Sequence, residues 1–171
     1  MRALSFRLVC LVLVLHAVHA LAVRPAAAGD AEKLTRGAYL LAIMDCTGCH
    51  TPGALSGRPD MERYLSGSDV GFMVPDVGTF YPPNLTSDKE TGLGTWSKED
   101  IVNAIRSGVR PDGRALVPVM PFPSYAALSD EDADALATYI KTLKPIKNKV
   151  PGPFDPTQKP TAPYLKPEMP K

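Results

Sequence analysis

The residues with the most distinctive chemistry lie together in Cys46-Thr47-Gly48-Cys49-His50. On a helical turn, residues three apart lie on one face, so two thiols at this spacing can form thioethers with the two vinyl groups of one porphyrin. The adjacent imidazole can then reach the iron, and the small residues between the cysteines let the macrocycle lie close to the backbone. C-x-x-C-H is the attachment signature of c-type haem. We therefore predict one covalently bound haem c, with Cys46 and Cys49 as its thioether residues and His50 as an axial iron ligand.

Three other uses of the motif fit the sequence less well. A redox dithiol of the thioredoxin type needs a βαβ pattern around it, and no convincing strand run occurs after residue 28. A structural zinc site normally has four protein ligands, whereas Cys46, Cys49 and His50 supply three. A plain disulfide between the two cysteines would leave the histidine unexplained.

The amino terminus has the features of an export signal. The first seven residues include two arginines and no acid, and an almost wholly apolar run follows from Leu8 to Val18. Small residues then provide cleavage positions after Ala20 and after Ala28. Such a combination is typical of a secretory signal peptide. We predict that residues 1–28 are a signal peptide, with cleavage after Ala28 or, alternatively, after Ala20, and that the protein is periplasmic.

A retained membrane anchor is the alternative interpretation of this segment. A spanning helix needs about 20 apolar residues, and His16, His19 and Arg24 interrupt the run. We therefore expect no membrane-spanning helix in the mature chain.

Composition limits the remaining possibilities. The chain has 171 residues, of which 44% are apolar and 22% charged, and its net charge is +1. This suits one globular domain and excludes wholesale disorder. A nucleic-acid partner is also excluded, because it would require a strongly basic face. Without residues 1–28 the net charge becomes −2, and Cys46, Cys49 and His50 are the only cysteines and histidine.

A second axial ligand must come from outside the motif, and a second histidine is absent from the mature sequence. Methionine is the usual alternative in electron-transfer haems. Met44 is too near Cys46 to reach the opposite haem face. Met120 has the best context, because the prolines of Pro118-Val119-Met120-Pro121-Phe122-Pro123 should hold the chain extended and stiff. We predict Met120 as the second axial ligand, with Met73 in reserve; the other candidates are Met61 and Met169.

Helical patterns occur in three places. An apolar stripe at helical spacing covers residues 30–45 and leads directly into the C-x-x-C-H motif. The second helix should begin after an N-cap at Ser97 and end at Gly108. The third should begin after Ser129 and be stopped by Pro145. Both carry apolar stripes at helical spacing: Ile101, Ala104 and Ile105 in the second, and Ala133, Leu136, Ala137, Ile140 and Leu143 in the third.

The rest of the chain has little regular pattern. Residues 51–96 are rich in turn residues and predict long irregular loops, which make sense around a large apolar prosthetic group. Residues 146–171 hold seven prolines and little apolar content. We expect a domain over residues 29–147 and an extended, proline-rich tail over 148–171, which either is disordered or lies as a strap on a surface.

A family resemblance is carried by several short runs: Gly37-Ala38-Tyr39-Leu40, Cys49-His50-Thr51, Pro83-Asn84-Leu85-Thr86-Ser87-Asp88, Thr91-Gly92-Leu93-Gly94-Thr95-Trp96-Ser97, Ile105-Arg106-Ser107-Gly108, and Met120-Pro121-Phe122 with Tyr125. In these runs the sequence resembles a class I c-type cytochrome over roughly residues 34–151. It is most similar to the mono-haem cytochrome c domains in the cytochrome subunits of periplasmic dehydrogenases.

The resemblance implies an all-α class I cytochrome c fold, with helices around a covalently attached haem and long irregular loops. It implies axial ligation by His50 and Met120, and a crossing of the first and last helices at positions such as Gly37 and Tyr139. The implied function is single-electron transfer between a dehydrogenase or other donor and an acceptor such as an oxidase or another cytochrome, without catalysis by this chain. The sequence departs from those subunits in having one haem motif and a polar tail.

Two other functions remain as alternatives. A haem enzyme or gas sensor would need an open iron position. An interaction module of a larger redox complex would use its haem for stability and its tail for binding.

The surroundings of the haem can be predicted only in outline. His50 should donate its other ring N–H to a backbone carbonyl, from Pro52 or from the loop that follows. Trp96 is expected to be a core aromatic or a donor to a haem propionate. Other candidate propionate partners are Tyr64, Tyr81, Arg58 and Arg114.

Overall fold

The computed structural model describes residues 26–168 and residue 170. The predicted signal sequence up to residue 25, including the cleavage site at Ala20, and the candidate ligand Met169 lie outside the described residues. The chain divides into two compact units, Met1–Glu32 and Lys33–Lys171. Within the described range, no helix is both long enough and apolar enough to cross a membrane.

In the part of the chain that the structure describes, five α-helices make up most of the regular structure: α1 (Ala26–Ile43), α2 (Cys46–His50), α3 (Lys98–Ser107), α4 (Phe122–Tyr125) and α5 (Asp130–Lys141). Two short 3₁₀ turns, Ala54–Ser56 and Met61–Arg63, lie in the long loop after α2. Three short strands complete the regular structure of residues 26–168: β1 (Gly71–Val74), β2 (Gly78–Phe80) and β3 (Tyr164–Leu165). The fold is mostly helical with long loops, which confirms the expected fold class.

The helix ends follow the predicted capping residues. Ser97 accepts from the backbone N–H of Asp100, whose carboxylate accepts in return from the N–H of Ser97, so that α3 begins with a capping box. Gly108 ends the helix with a left-handed φ of 68°. At the start of α5 the Ser129 hydroxyl accepts from the backbone N–H of Asp132 at 3.1 Å.

The apolar stripes of the helices meet in one core. Its buried members come from α1, α3, α5 and the loops between them: Leu40, Leu41, Leu65, Leu93, Ile101, Ile105, Leu136, Ala137 and Ile140. The stripes predicted for α3 and α5 therefore face inward. Burial of these side chains is the main source of stability for the helical part of the fold.

Helices α1 and α5 approach each other closely at Gly37. A Cβ atom added there would lie 2.2 Å from the carbonyl oxygen of Ala135 and 2.6 Å from the Cβ atom of Tyr139. This contact confirms the crossing at Gly37 and Tyr139 that the family resemblance implied. Next to it, Arg36 makes a bidentate contact with Asp132, with distances of 2.7 and 3.0 Å.

The strands were not expected from the sequence. The three strands pair in the order β2-β1-β3, with β1 antiparallel to β2 and parallel to β3. The longest strand has only four residues, and a run this short gives no clear alternation. The partner strand β3 lies in the tail, so its pairing depends on a contact between distant parts of the sequence.

The proline-rich tail lies along this sheet as a strap. Phe154 exchanges two backbone hydrogen bonds with Thr79, of 2.8 and 2.9 Å. The ring of Phe154 makes an edge contact with Tyr81 at a centroid distance of 6.1 Å. The Tyr81 hydroxyl donates to the carbonyl of Ala162 at 2.6 Å. The single O–H donor of Tyr81, a candidate partner of a haem propionate, is therefore used within the protein.

The close helix crossing leads to a stability prediction. Gly37→Ala should lower the free energy of unfolding by about 2 kcal/mol, because the added methyl group forces two tightly packed helices apart. Denaturant unfolding of the haem-loaded protein measures the change. Gly29→Ala is the matched control in α1, because the added methyl meets no described atom within 4 Å there. Equal stability of the two variants would contradict the predicted role of Gly37.

Candidate functional site

The C-x-x-C-H motif forms a helical turn of its own, α2, separated from α1 by a left-handed residue. Asp45 has φ 52° and ψ 39°, and its carboxylate accepts from the backbone N–H of Gly48 at 3.2 Å. A Cβ atom at Gly48 would lie 2.4 Å from the Asp45 carboxylate. A glycine at position 48 thus makes room for the side chain that starts the turn. The sequence analysis missed this role of Asp45, although an aspartate directly before a helical turn is a typical N-cap signal.

The two thiols are free and half-buried. Burial raises the pKa of Cys46 to about 11, with a smaller contribution from the negative charge of Asp45. Burial also raises the pKa of Cys49, and Asp45 acts in the same direction. Both thiols are therefore protonated at neutral pH, whereas a redox-active or nucleophilic cysteine needs a lowered pKa.

His50 is buried, with 7% of its surface exposed. Its Nδ1 atom lies 2.8 Å from the carbonyl oxygen of Pro83. Because a carbonyl oxygen only accepts, Nδ1 carries the proton and Nε2 keeps a free lone pair. Burial lowers the pKa of His50, which keeps the ring neutral. The expected bond to a backbone carbonyl is confirmed, and its acceptor belongs to the following loop and not to Pro52.

The segment around His50 is held by the loop that follows it. The backbone N–H of Gly67 donates to the carbonyl of His50 at 2.8 Å. The fully buried Thr51 accepts at its hydroxyl from the backbone N–H of Leu65 at 3.1 Å. One bond holds the main chain of His50 and the other holds the side chain of Thr51, the next residue. His50 is therefore anchored by its main chain as well as by its ring.

Met120 packs against the same core cluster as Cys46 and is half-buried. The chain around it is not extended, so the sequence-based expectation is wrong on this point. The N–H of Met120 donates to Val117 at 3.1 Å, the N–H of Phe122 donates to Met120 at 2.7 Å, and α4 follows immediately. Pro123 fits in the first turn of a helix because the backbone N–H is not needed there. The segment is therefore a hydrogen-bonded tight turn that leads into α4.

The other described candidates, Met44, Met61 and Met73, differ in their surroundings. Met73, the reserve candidate, is in β1 opposite Thr79 and does not belong to the set of side chains packed on that core cluster. Met61 is 59% exposed. Met44 packs on the core just before the motif.

The suggested propionate partners are dispersed. Trp96 is half-buried against the core, as expected of a core aromatic, and the guanidinium of Arg110 lies 5.1 Å from the centre of its ring. Tyr64 contacts Thr47 through their hydroxyl groups at 3.4 Å. Arg58 and Arg114 are exposed. The sequence analysis missed Arg110, which has no local pattern to distinguish it from other surface arginines.

The chemistry of this donor set fits haem c. Two protonated thiols sit on one helical turn, and a neutral imidazole with a free Nε2 follows them. Among the residues that the structure describes, no three His, Cys, Asp or Glu side chains converge as a protein-only metal site requires. Two thiols followed by one imidazole make up the donor set that two thioethers and one iron ligand would need.

Comparison with known proteins gives a consistent result. The family model for cytochrome c matches residues 34–144. The chain is 38% identical over 125 residues to the cytochrome c subunit of a quinone-type alcohol dehydrogenase of Gluconobacter oxydans (strain 621H), covering 71% of this chain and 24% of that protein. It is 42% identical over 105 residues to the gluconate 2-dehydrogenase cytochrome c subunit of Pantoea cypripedii, covering 61% and 22%.

A third relative is the fructose dehydrogenase cytochrome subunit of Gluconobacter japonicus, which is 36% identical over 135 residues. The match covers 75% of this chain and 26% of that protein. The chain therefore spans about a quarter of the length of these curated relatives.

A hydrogen bond that links the methionine loop to the motif yields a prediction. The Tyr125 hydroxyl donates to the carbonyl of Met44 at 3.0 Å. Tyr125→Phe should lower the free energy of unfolding by about 1 kcal/mol, the usual value of such a bond. Denaturant unfolding measures it, with Tyr39→Phe as control, since the Tyr39 ring is 53% exposed. The same loss in both variants would show that the Tyr125 hydroxyl has no special role.

Proposed function

Because this chain belongs to the cytochrome c family, we propose that it is a mono-haem c-type cytochrome that carries single electrons and catalyses no reaction itself. In this proposal Cys46 and Cys49 form the two thioethers to haem c, and His50 and Met120 are the axial ligands of the iron. The observation that carries the proposal is the buried, neutral His50, with Nδ1 on the Pro83 carbonyl and Nε2 free, directly after two protonated thiols on one helical turn.

Haem c supplies an iron centre that accepts and releases one electron, and the protein residues supply its environment. The carbonyl of Pro83 fixes the tautomer and orientation of the His50 ring, and the hydrogen bond that it accepts from Nδ1–H increases the donor strength of the imidazole. The tight turn around Met120 presents a thioether sulfur at little entropy cost. A methionine and histidine pair raises the reduction potential. These roles suit an electron carrier and leave no open position for a substrate.

The proposal extends to location and partners. Residues 1–28 act as a signal peptide and direct the protein to the periplasm, 29–147 form the cytochrome domain, and 148–171 form the tail. Proteins similar to this chain are named as cytochrome subunits of alcohol, gluconate and fructose dehydrogenases. We therefore propose a dehydrogenase as electron donor and an oxidase or another cytochrome as acceptor.

Covalent attachment is tested by mass spectrometry of the protein exported from a host that matures c-type haem. The mature chain should carry the added mass of one haem, and Cys46→Ala combined with Cys49→Ala should abolish it. Cys10→Ala is the matched control, because that cysteine lies in the predicted signal peptide. A wild-type product without haem would overturn the proposed function.

Axial ligation is tested by substitution of two methionines. Met120→Ala should remove the weak far-red absorption of a sulfur–iron bond and lower the reduction potential, because a thioether ligand stabilises the reduced iron. Met73→Ala is the control and should leave both unchanged. Absorption spectroscopy and redox titration measure the two effects. The reverse result, a changed spectrum only in Met73→Ala, would move the ligand assignment to Met73.

A further inference from the structure

The residue after Pro83 is a buried asparagine that joins two distant parts of the chain. Asn84 is 1% exposed. Its Oδ1 atom accepts from the backbone N–H of Thr86 at 2.9 Å and from the Thr86 hydroxyl at 2.7 Å. Its Nδ2 atom donates to the carbonyl of Ile146 at 2.7 Å and to the hydroxyl of Thr91 at 3.0 Å. Asn84 thus connects the loop that begins at Pro83 to the chain that follows α5.

Three further bonds attach the same two segments to each other. The Thr86 hydroxyl accepts from the N–H of Ile146 at 3.2 Å, and the Thr91 hydroxyl accepts from the N–H of Asn148 at 3.0 Å. The Ser87 hydroxyl donates to the carbonyl of Leu143 at 2.6 Å. We call residues 143–148 the tail root. Side chains of the loop that begins at Pro83 hold the tail root through hydrogen bonds to its backbone.

Backbone bonds hold the loop on either side of Pro83. The N–H of Ser68 donates to Pro82 at 2.9 Å, and the N–H of Leu85 donates to Leu65 at 2.9 Å. The peptide between these two points carries the Pro83 carbonyl. Proline restricts the rotation of that peptide on one side, and the anchored side chain of Asn84 restricts it on the other. The direction of the carbonyl toward His50 therefore depends on Asn84 and its bonds to the tail root.

We infer that Asn84 is a positioning residue through which the tail root holds the Pro83 carbonyl on the His50 ring and so sets the reduction potential. The inference rests on the proposed role of His50 as an axial ligand. A strong bond from Nδ1 makes the imidazole a better donor, which favours the oxidised iron. Loosening the Pro83 carbonyl should therefore raise the potential.

The test compares three full-length, haem-loaded variants. Asn84→Ala removes the central side chain. Thr86→Val replaces a hydroxyl by a methyl of nearly equal size and removes the bonds of this hydroxyl to Asn84 and Ile146, while the side chain of Asn84 keeps its own bond to Ile146. It therefore remains informative where Asn84→Ala does not fold. Thr79→Val is the control: Thr79 is also buried and contacts the tail, but its bonds to Phe154 are made by the backbone.

Redox titration should show a higher midpoint potential for Asn84→Ala and a smaller rise for Thr86→Val. We expect a shift of up to tenfold in the one-electron equilibrium, or up to about 59 mV. Proton NMR of the oxidised protein should show a changed pattern of haem methyl shifts, because that pattern depends on the orientation of the His50 ring. Thr79→Val should change neither quantity.

Two results would overturn the inference: an unchanged potential in folded Asn84→Ala and Thr86→Val, or an equal shift in all three variants, which would indicate a general loss of stability. Measurements on the wild-type protein distinguish failure of this inference from failure of the proposed function. A wild type without covalent haem rejects the function itself, whereas a normal wild type with unresponsive variants rejects only the role of Asn84.

Discussion

The hydrogen bond between His50 and Pro83 links the chemistry of the motif to the rest of the fold. The ring is buried, and a charged imidazolium without a counter-ion would be costly there. The Pro83 carbonyl accepts a hydrogen bond from the Nδ1–H group of the neutral ring, with 2.8 Å between nitrogen and oxygen, and leaves Nε2 free. Any element that moves this carbonyl changes the electronic state of the ring. The loop and its attachments therefore matter as much to the site as the motif itself.

The features that sequence analysis predicted correctly are local in sequence. The C-x-x-C-H turn, the N-caps at Ser97 and Ser129, and the stripes of α3 and α5 each depend on residues within one or two helical turns of one another. The extended conformation predicted around Met120 was wrong for a local reason as well. Several prolines in a short run favour an extended chain, but Pro123 occupies the start of α4, where proline is tolerated.

The features that were missed depend on contacts between distant residues. Pro83 lies 33 residues after His50, and Asn84 lies 62 residues before Ile146. No pattern in either segment identifies its partner. The small sheet is a similar case, since β1 pairs with β3 at the end of the chain. The resemblance to a known family identified the Pro83–Thr86 run as part of the family pattern, but its physical role became clear only from the geometry.

Buried polar side chains stabilise the loops of this protein in place of a large sheet. The buried Thr51, Asn84 and Thr86 and the half-buried Thr91 bond to backbone groups that have no helix or strand partner. Loss of one such bond leaves a buried group unsatisfied, which costs more than loss of an exposed contact. The exposed ion pair of Lys147 and Glu90 lies beside the same network, yet pairs of that kind contribute little. The order of the loops near the site thus depends mainly on uncharged, buried side chains, which solvent and salt reach least.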